Sequence, residues 1–202
     1  MTVTPPHQPA GRWLIRDSRD DDVAAIQAIY AHHVAQGKGS FELDAPTHEE
    51  VARRRADVLA NGFPFLVAES AVGAAAVGAA AVATAAGANG RVAGYAYANF
   101  FRMRPAYRFT VEDSIYIEPA AAGQGVGKLL LTALLQRCEA AGCRQMLAVI
   151  GDSGNTGSIG LHARCGFRFA GVLRSTGWKF DQWLDTVLMQ KDLGPGDRTP
   201  AP

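Results

Sequence analysis

Charge imbalance, paired cysteines, an export signal and a strongly apolar run are all missing from these 202 residues, and each absence removes a class of function. Twenty Lys and Arg stand against nineteen Asp and Glu, a formal net charge of +1. No overall field exists to hold a phosphate polymer or an anionic lipid surface, so neither nucleic acid nor membrane is an expected partner. The three cysteines, Cys138, Cys143 and Cys165, are an odd number without metal-ligand spacing, unlike a disulfide-dense secreted scaffold. His32 and His33 are adjacent, point about 100° apart on a helix and cannot chelate together. With no His-Glu-x-x-His motif either, no metal site is expected. Met1 to Gly11 has neither a charged start nor an apolar core, so the expected location is the reducing cytoplasm. Ala71 to Ala88 is long enough to suggest a span, but it is Ala and Gly with a few Val and carries no aromatic or basic anchors. It reads as a low-complexity loop inserted between two strands.

What is present is helical and strand periodicity in alternation. Asp20, Asp21 and Asp22 cap a segment in which Val23, Ile26, Ile29, Tyr30 and Val34 recur at helical spacing, and Gly37 ends it. Thr47 and Glu50 form a capping-box pattern before a second helix carrying Val51, Val58 and Leu59, with Arg53, Arg54 and Arg55 as its solvated face. Phe65 to Ala68, Val92 to Phe100 and Thr110 to Ile117 read as strands. A glycine turn at 123–127 leads into a helix from Lys128 to Ala141, stopped by Gly142. Met146 to Ile150 is a further strand, Ser158 to Arg164 a short helix, and Phe167 to Val172 and Asp185 to Lys191 are late strands. The pattern predicts one mixed α/β domain over residues 12–193, with 1–11 and 194–202 as disordered tails.

The turn Gly123-Gln124-Gly125-Val126-Gly127-Lys128 exposes backbone N–H groups at the positive end of a helix, which suits a phosphate or pyrophosphate. The alternative is that its glycines only allow tight strand-to-helix packing. A P-loop would need Gly at 122 and Ser or Thr at 129, where Ala122 and Leu129 stand. A dinucleotide fingerprint needs a glycine where Lys128 or Leu130 sits. Gly151-Asp152-Ser153-Gly154 is similar to the nucleophile segment of trypsin-like proteases, but helical periodicity dominates and no suitable His and Asp segments precede it.

Several separated motifs then occur in one order. They are Thr110-Val111-Glu112-Asp113-Ser114-Ile115-Tyr116-Ile117, the glycine turn, Asn155-x-x-Ser158-Ile159-x-Leu161-His162, Cys165-Gly166-Phe167 and Gly177-Trp178-Lys179-Phe180-x-x-Trp183-Leu184-Asp185. This succession resembles the GNAT superfamily of acyl-CoA-dependent N-acetyltransferases, and within it the phosphinothricin and methionine sulfoximine acetyltransferase branch. Gly39-Ser40-Phe41-Glu42 and Phe101-Arg102-x-Arg104-x-Ala106-Tyr107 match that branch too. The resemblance spans residues 12–193, interrupted at 71–88. It implies a mixed, mostly antiparallel central sheet with helices on both faces, splayed where acetyl-CoA binds, and a homodimer.

The resemblance also implies a site. Ile115, Tyr116 and Ile117 would pair with the pantetheine arm of acetyl-CoA like an added strand, and an amide N–H near Ile117 would face the oxyanion. Gly123, Gln124, Gly125, Val126, Gly127 and Lys128 would hold the pyrophosphate, with Asn155 and Ser158 further along the arm. Ala122 departs from the family, which usually has Gln or Arg there, so one side-chain donor is missing. An amino-acid amine is mostly protonated near neutral pH and needs a base. The implied base is Glu112, whose alternative role is a strand-face salt bridge. His162 stands where many superfamily members carry tyrosine; protonating sulfur, helping to deprotonate the amine and orienting the site by a hydrogen bond all remain open. Arg102 and Arg104 suit a grip on an anion, or form an exposed basic loop. Phe41 and Glu42 would close the acceptor pocket, with Tyr107 beside the arginines, although Phe41 is equally readable as a core aromatic.

The implied activity is direct acetylation of the α-amine of a small amino acid or analogue, phosphinothricin- or methionine sulfoximine-like, in a ternary complex. The alternatives are acetylation of a polyamine or protein N-terminus, and non-catalytic CoA binding.

Overall fold

The computed structural model describes residues 12–71 and 90–201. The expectations for the tail 1–11, and for the insertion beyond Ala71, lie outside the described residues. The chain runs β1 (Trp13–Asp17), α1 (Val23–Gln36), α2 (His48–Ala60), β2 (Phe65–Ser70), β3 (Val92–Phe100) and β4 (Thr110–Ile117). It continues through α3 (Val126–Ala140), β5 (Gln145–Gly151), α4 (Thr156–Arg164), β6 (Arg168–Lys179) and β7 (Gln182–Asp192). Among the described residues, seven strands form one sheet in the order β1-β2-β3-β4-β5-β7-β6. Only β4 and β5 run parallel, so the mixed, mostly antiparallel α/β expectation holds.

Alternation along β4 places the helices. Tyr116 meets Tyr30 of α1 edge-on at 4.9 Å, whereas Asp113, of opposite parity, meets His162 of α4. Helix α3 shares the α4 face, since Gly127 lies against Leu161 and Ile117. Leu130, Leu131, Leu134 and Cys138 of α3 are fully buried at i, i+1, i+4 and i+8, the stripe that a core-facing helix needs. Covered on both faces, β2 carries the unbroken buried run Phe65-Leu66-Val67-Ala68.

Local detail refines these expectations. β1 was not anticipated, and β6 and β7 are longer than the apolar runs suggested, because their exposed faces break the pattern. The three arginines of α2 do not share a face, since consecutive helical residues turn by about 100° each. Arg53 is solvated, Arg54 reaches Glu42, and buried Arg55 donates to Ser18 and Asp20. Gly37 ends α1 as expected, with φ of −103° and its N–H donating to the His33 carbonyl at 2.9 Å, and a Cβ there would lie 2.7 Å from that oxygen. Residues 194–201 fold back on the start of β5. Gly194 and Gly196 take positive φ, and Arg144 donates to Thr199 Oγ1 at 2.7 Å and the Pro200 carbonyl at 2.8 Å.

β4 pairs with β5 only from Thr110↔Gln145 to Asp113↔Ala148. Beyond that point β4 stays with β3 and β5 with β7, and the sheet splits. Among the described residues, no helix is long and apolar enough to cross a membrane.

Candidate active site

The split opens a cleft of about 790 Å³ that runs through the sheet. Ser114 to Ile117 form one wall, Val149 and Ile150 the other, and the glycine turn closes one end. Gly123 and Gly125 adopt φ of +73° and +84°, which glycine alone adopts without strain. Helix α3 starts directly after them, so its first-turn N–H groups lack intrahelical acceptors and point at the cleft with Lys128 beside them. This end can hold an anion. The wall at Ser114 to Ile117 can hold an extended chain with amides, because on the β5 side its backbone has no strand partner. An acyl-CoA has both parts, and the residues present fit it.

Of the expected cofactor contacts, Ile115, Tyr116, Ile117, Gly123, Gly125, Val126, Gly127, Lys128, Asn155 and Ser158 line the cleft. Gln124 does not: its Nε2 turns back to donate to the Ala120 carbonyl at 2.7 Å. The Val126 side chain is buried in the core, so only its N–H is on offer. Asn155 caps α4, accepting the Ser158 N–H at 3.2 Å. Ala122 is exposed at the rim and supplies no side-chain donor.

Glu112 leaves the opposite face of β4 from Asp113, half-buried and close to Tyr97 of β3. Among the described residues its carboxylate forms neither a hydrogen bond nor an ion pair, so it is not a strand-face salt bridge. Burial first, and the negative charge of Asp113 second, push its pKa up to about 7, against a smaller lowering by Arg102. Such a carboxyl can accept a proton near neutral pH.

His162 is 2% exposed, and both ring nitrogens are engaged. Nδ1 donates to the Ser158 carbonyl at 2.8 Å, and Nε2 lies 3.0 Å from Asp113 Oδ2. Burial pulls the imidazole pKa down, but the Asp113 hydrogen bond and charge outweigh it and leave the pKa above the ordinary value. A ring held on both sides in this way can orient neighbours.

The expected acceptor residues are only partly assembled. Phe41 packs over Gly177 of β6, where an added Cβ would lie 2.5 Å from the ring, and it remains 36% exposed. Glu42 is paired with Arg54 at 2.6 Å. Arg102, Arg104 and Tyr107 are exposed on a bent loop ending in a single helical turn at Pro105–Tyr107. The segment is not extended, so spacing by two does not make the arginines converge. Arg102 stacks over Phe101 at 5.1 Å and its charge reaches Glu112. Tyr107 meets Phe101 edge-on.

Three residues that shape the site were not anticipated. Asp113 follows Glu112 directly, and strand alternation alone would have sent it to the cofactor side. His33 was weighed only as a metal ligand; its Nε2 donates to the Ile117 carbonyl at 2.8 Å, while burial lowers its pKa. Arg54 lines a small cavity with Tyr30, Tyr95 and Tyr97 on the Glu112 face. Among the described residues, no cluster of three or more His, Cys, Asp or Glu could hold a metal ion.

The chain is similar to known proteins in sequence and in fold. The phosphinothricin N-acetyltransferase of Alcaligenes faecalis is 52% identical over 92% of this chain and 85% of its own length. An L-methionine sulfoximine/L-methionine sulfone acetyltransferase of Pseudomonas paraeruginosa is 36% identical over 92% of the chain and 98% of its own. The crystal structure of a phosphinothricin acetyltransferase from Sinorhizobium meliloti, solved in complex with AcCoA, superposes with a TM-score of 0.84 at 40% identity, covering 95% of this chain and 94% of that one. The model of the acetyltransferase (GNAT) family matches residues 51–167, which include the split strand, the glycine turn and α4. Both its sequence and its parted sheet therefore make this chain a member of the GNAT acetyltransferase family.

Proposed function

We propose that the chain transfers the acetyl group of acetyl-CoA to the α-amine of a small, anionic amino acid or analogue, phosphinothricin- or methionine sulfoximine-like, by direct attack in a ternary complex. The observation that carries the mechanism is Glu112, an unpartnered carboxyl raised to about 7 beside the split in the sheet.

In this reading the N–H groups at the start of α3 and Lys128 bind the pyrophosphate, and the free edge of Ser114 to Ile117 aligns the pantetheine arm. The thioester is the acetyl donor. Glu112 takes a proton from the acceptor ammonium, directly or through one water, and the freed amine forms the C–N bond as the C–S bond breaks. The departing thiolate gains a proton, leaving CoA and the N-acetylated acceptor. His162 serves by orienting α4, with proton transfer assigned to Glu112. Arg102, the basic group whose charge reaches Glu112, supports an anionic acceptor. The names of the relatives support an amino-acid analogue of that kind.

A second copy is the proposed partner. Edge strand β6 and its neighbour expose Phe169, Leu173, Trp178 and Trp183, an apolar row that a homodimer would cover. The three free thiols support a cytoplasmic location.

The test is CoA thiol release from acetyl-CoA with a panel of free amino acids, phosphinothricin, methionine sulfoximine, amino-acid amides and polyamines. Free amino acids or analogues with acidic or sulfoximine side chains should give the highest kcat/KM. Preference for amides or polyamines would overturn the acceptor assignment, and absence of release with every acceptor would overturn the activity.

A further inference from the structure

The pair of Asp113 and His162 joins two elements that the cleft would otherwise leave apart. Asp113 sits on β4 at its last register position with β5, opposite Ala148. His162 sits on α4, whose N-terminal turn carries Asn155 and Ser158 into the cleft. Both side chains are 2% exposed, 3.0 Å apart. A carbonyl can only accept, so the 2.8 Å bond from Nδ1 to the Ser158 carbonyl fixes one ring proton on Nδ1 and leaves Nε2 to face the Asp113 carboxyl group. Asp113 Oδ1 is buried and has no hydrogen-bond partner among the described residues. An ionised carboxylate in that position depends on the imidazolium for its charge balance.

We infer that Asp113 is a positioning residue: it keeps His162 charged and thereby locks α4, with the Asn155 and Ser158 end of the cleft, to β4 at the point where the sheet splits. This rests on reading the cleft as the acetyl-CoA site. Asp113 itself touches no reacting atom. The groups around the pair are the Phe167 ring, edge-on to His162 at 4.9 Å, the Ser158 hydroxyl at 3.4 Å, and the thiol of Cys138 on α3, whose pKa the Asp113 charge helps to raise. Glu112 leaves the other face of the strand. Loss of the carboxylate should therefore loosen the cofactor end while the proposed base stays in place.

The test uses the full chain labelled with ¹⁵N-histidine, with His162 assigned by its loss in His162→Gln. In the wild type both His162 ring nitrogens should read as protonated from about pH 6 to about pH 8, where an ordinary imidazole has become neutral. In Asp113→Asn the ring should be neutral by about pH 8, and the KM for acetyl-CoA should rise by about 10-fold with kcat changed less than about threefold. A wild-type ring neutral near pH 7 would overturn the inference even if Asp113→Asn failed to fold. So would a folded Asp113→Asn with an unchanged KM for acetyl-CoA. The ring-nitrogen measurement needs no turnover, so it judges the pair even if the acceptor panel shows no CoA release and the acetyltransferase reading falls.

Discussion

Glu112 and Asp113 are consecutive on β4, yet one carboxyl stands on the α1 face without a partner among the described residues while the other is buried 3.0 Å from His162 on the α4 face. Strand alternation separates them, and the split sheet gives each its own neighbourhood. In the proposed mechanism one strand thus serves both substrates: Glu112 works on the acceptor amine, and Asp113 fixes the wall that holds the donor.

The raised pKa of Glu112 has a kinetic and a thermodynamic consequence. Acceptor kcat/KM should rise with pH through a limb centred near 7, because only the carboxylate can take the proton. On the stability side the folded pKa exceeds the unfolded one, so the native state holds the extra proton between the two values. The contribution is full below the unfolded pKa of about 4.5 and is lost as pH rises through about 7. Glu112→Gln should therefore be more stable than the wild type in urea melts near pH 8, the gap closing below about pH 4.5. A constant gap, or one that widens in acid, would contradict an unpartnered buried carboxyl.

Arg102→Ala should raise the acceptor KM by roughly 10-fold or more, since a desolvated charge-assisted bond is worth about 1.5–3 kcal/mol. The acetyl-CoA constant should stay put. Removing that positive charge should also move the Glu112 limb to higher pH, because Arg102 holds the carboxyl pKa down. Arg104→Ala should do less on both counts. Steady-state kinetics on the two variants decides the point, and unchanged acceptor constants in both would return the loop to an ordinary basic surface.

Gly177→Ala tests the acceptor wall from the other side. The new methyl would lie 2.5 and 2.6 Å from two Phe41 ring atoms, so the ring must move, and its partial exposure gives it somewhere to go. Thermal melts should show a folded protein, with the acceptor KM raised severalfold and acetyl-CoA binding retained. An unaltered acceptor KM would place Phe41 outside the pocket.

Much of this was legible in the chain because the strongest signals are local. Thr110 to Ile117 reads as a strand with the boundaries observed, and the glycines at 123 and 125 stand where positive φ is needed. Motif order singles out Glu112 as the candidate base, but that it has no salt-bridge partner among the described residues depends on what packs around it. The interactions missed are those between segments far apart in sequence. Asp113 meets His162 across 49 residues and His33 meets Ile117 across 84, and no periodicity reports such pairs. The Gln124 side chain illustrates a related limit of pattern: a residue inside a phosphate-binding turn can spend its side chain on the turn itself.

The residues that flank the insertion are bonded to each other. Ser70 donates its N–H to the Arg91 carbonyl at 2.9 Å, and the Arg91 N–H returns to Ser70 Oγ at 2.9 Å, so the flanking strands are already paired. Replacing residues 72–89 with a short turn should leave the circular dichroism spectrum and acetyl-CoA affinity unchanged, since loop-closure entropy changes only slowly with length. A variant that does not fold would give the segment a part in the core.

The most direct test is Glu112→Gln, with turnover read as CoA thiol release and acetyl-CoA affinity read by calorimetry on the same preparation. With Glu112 as the base, kcat falls by about 10²-fold or more near neutral pH while the acetyl-CoA Kd moves by less than about twofold. Turnover at the wild-type level, or turnover and affinity lost in equal proportion, would contradict Glu112 as the group that takes the proton.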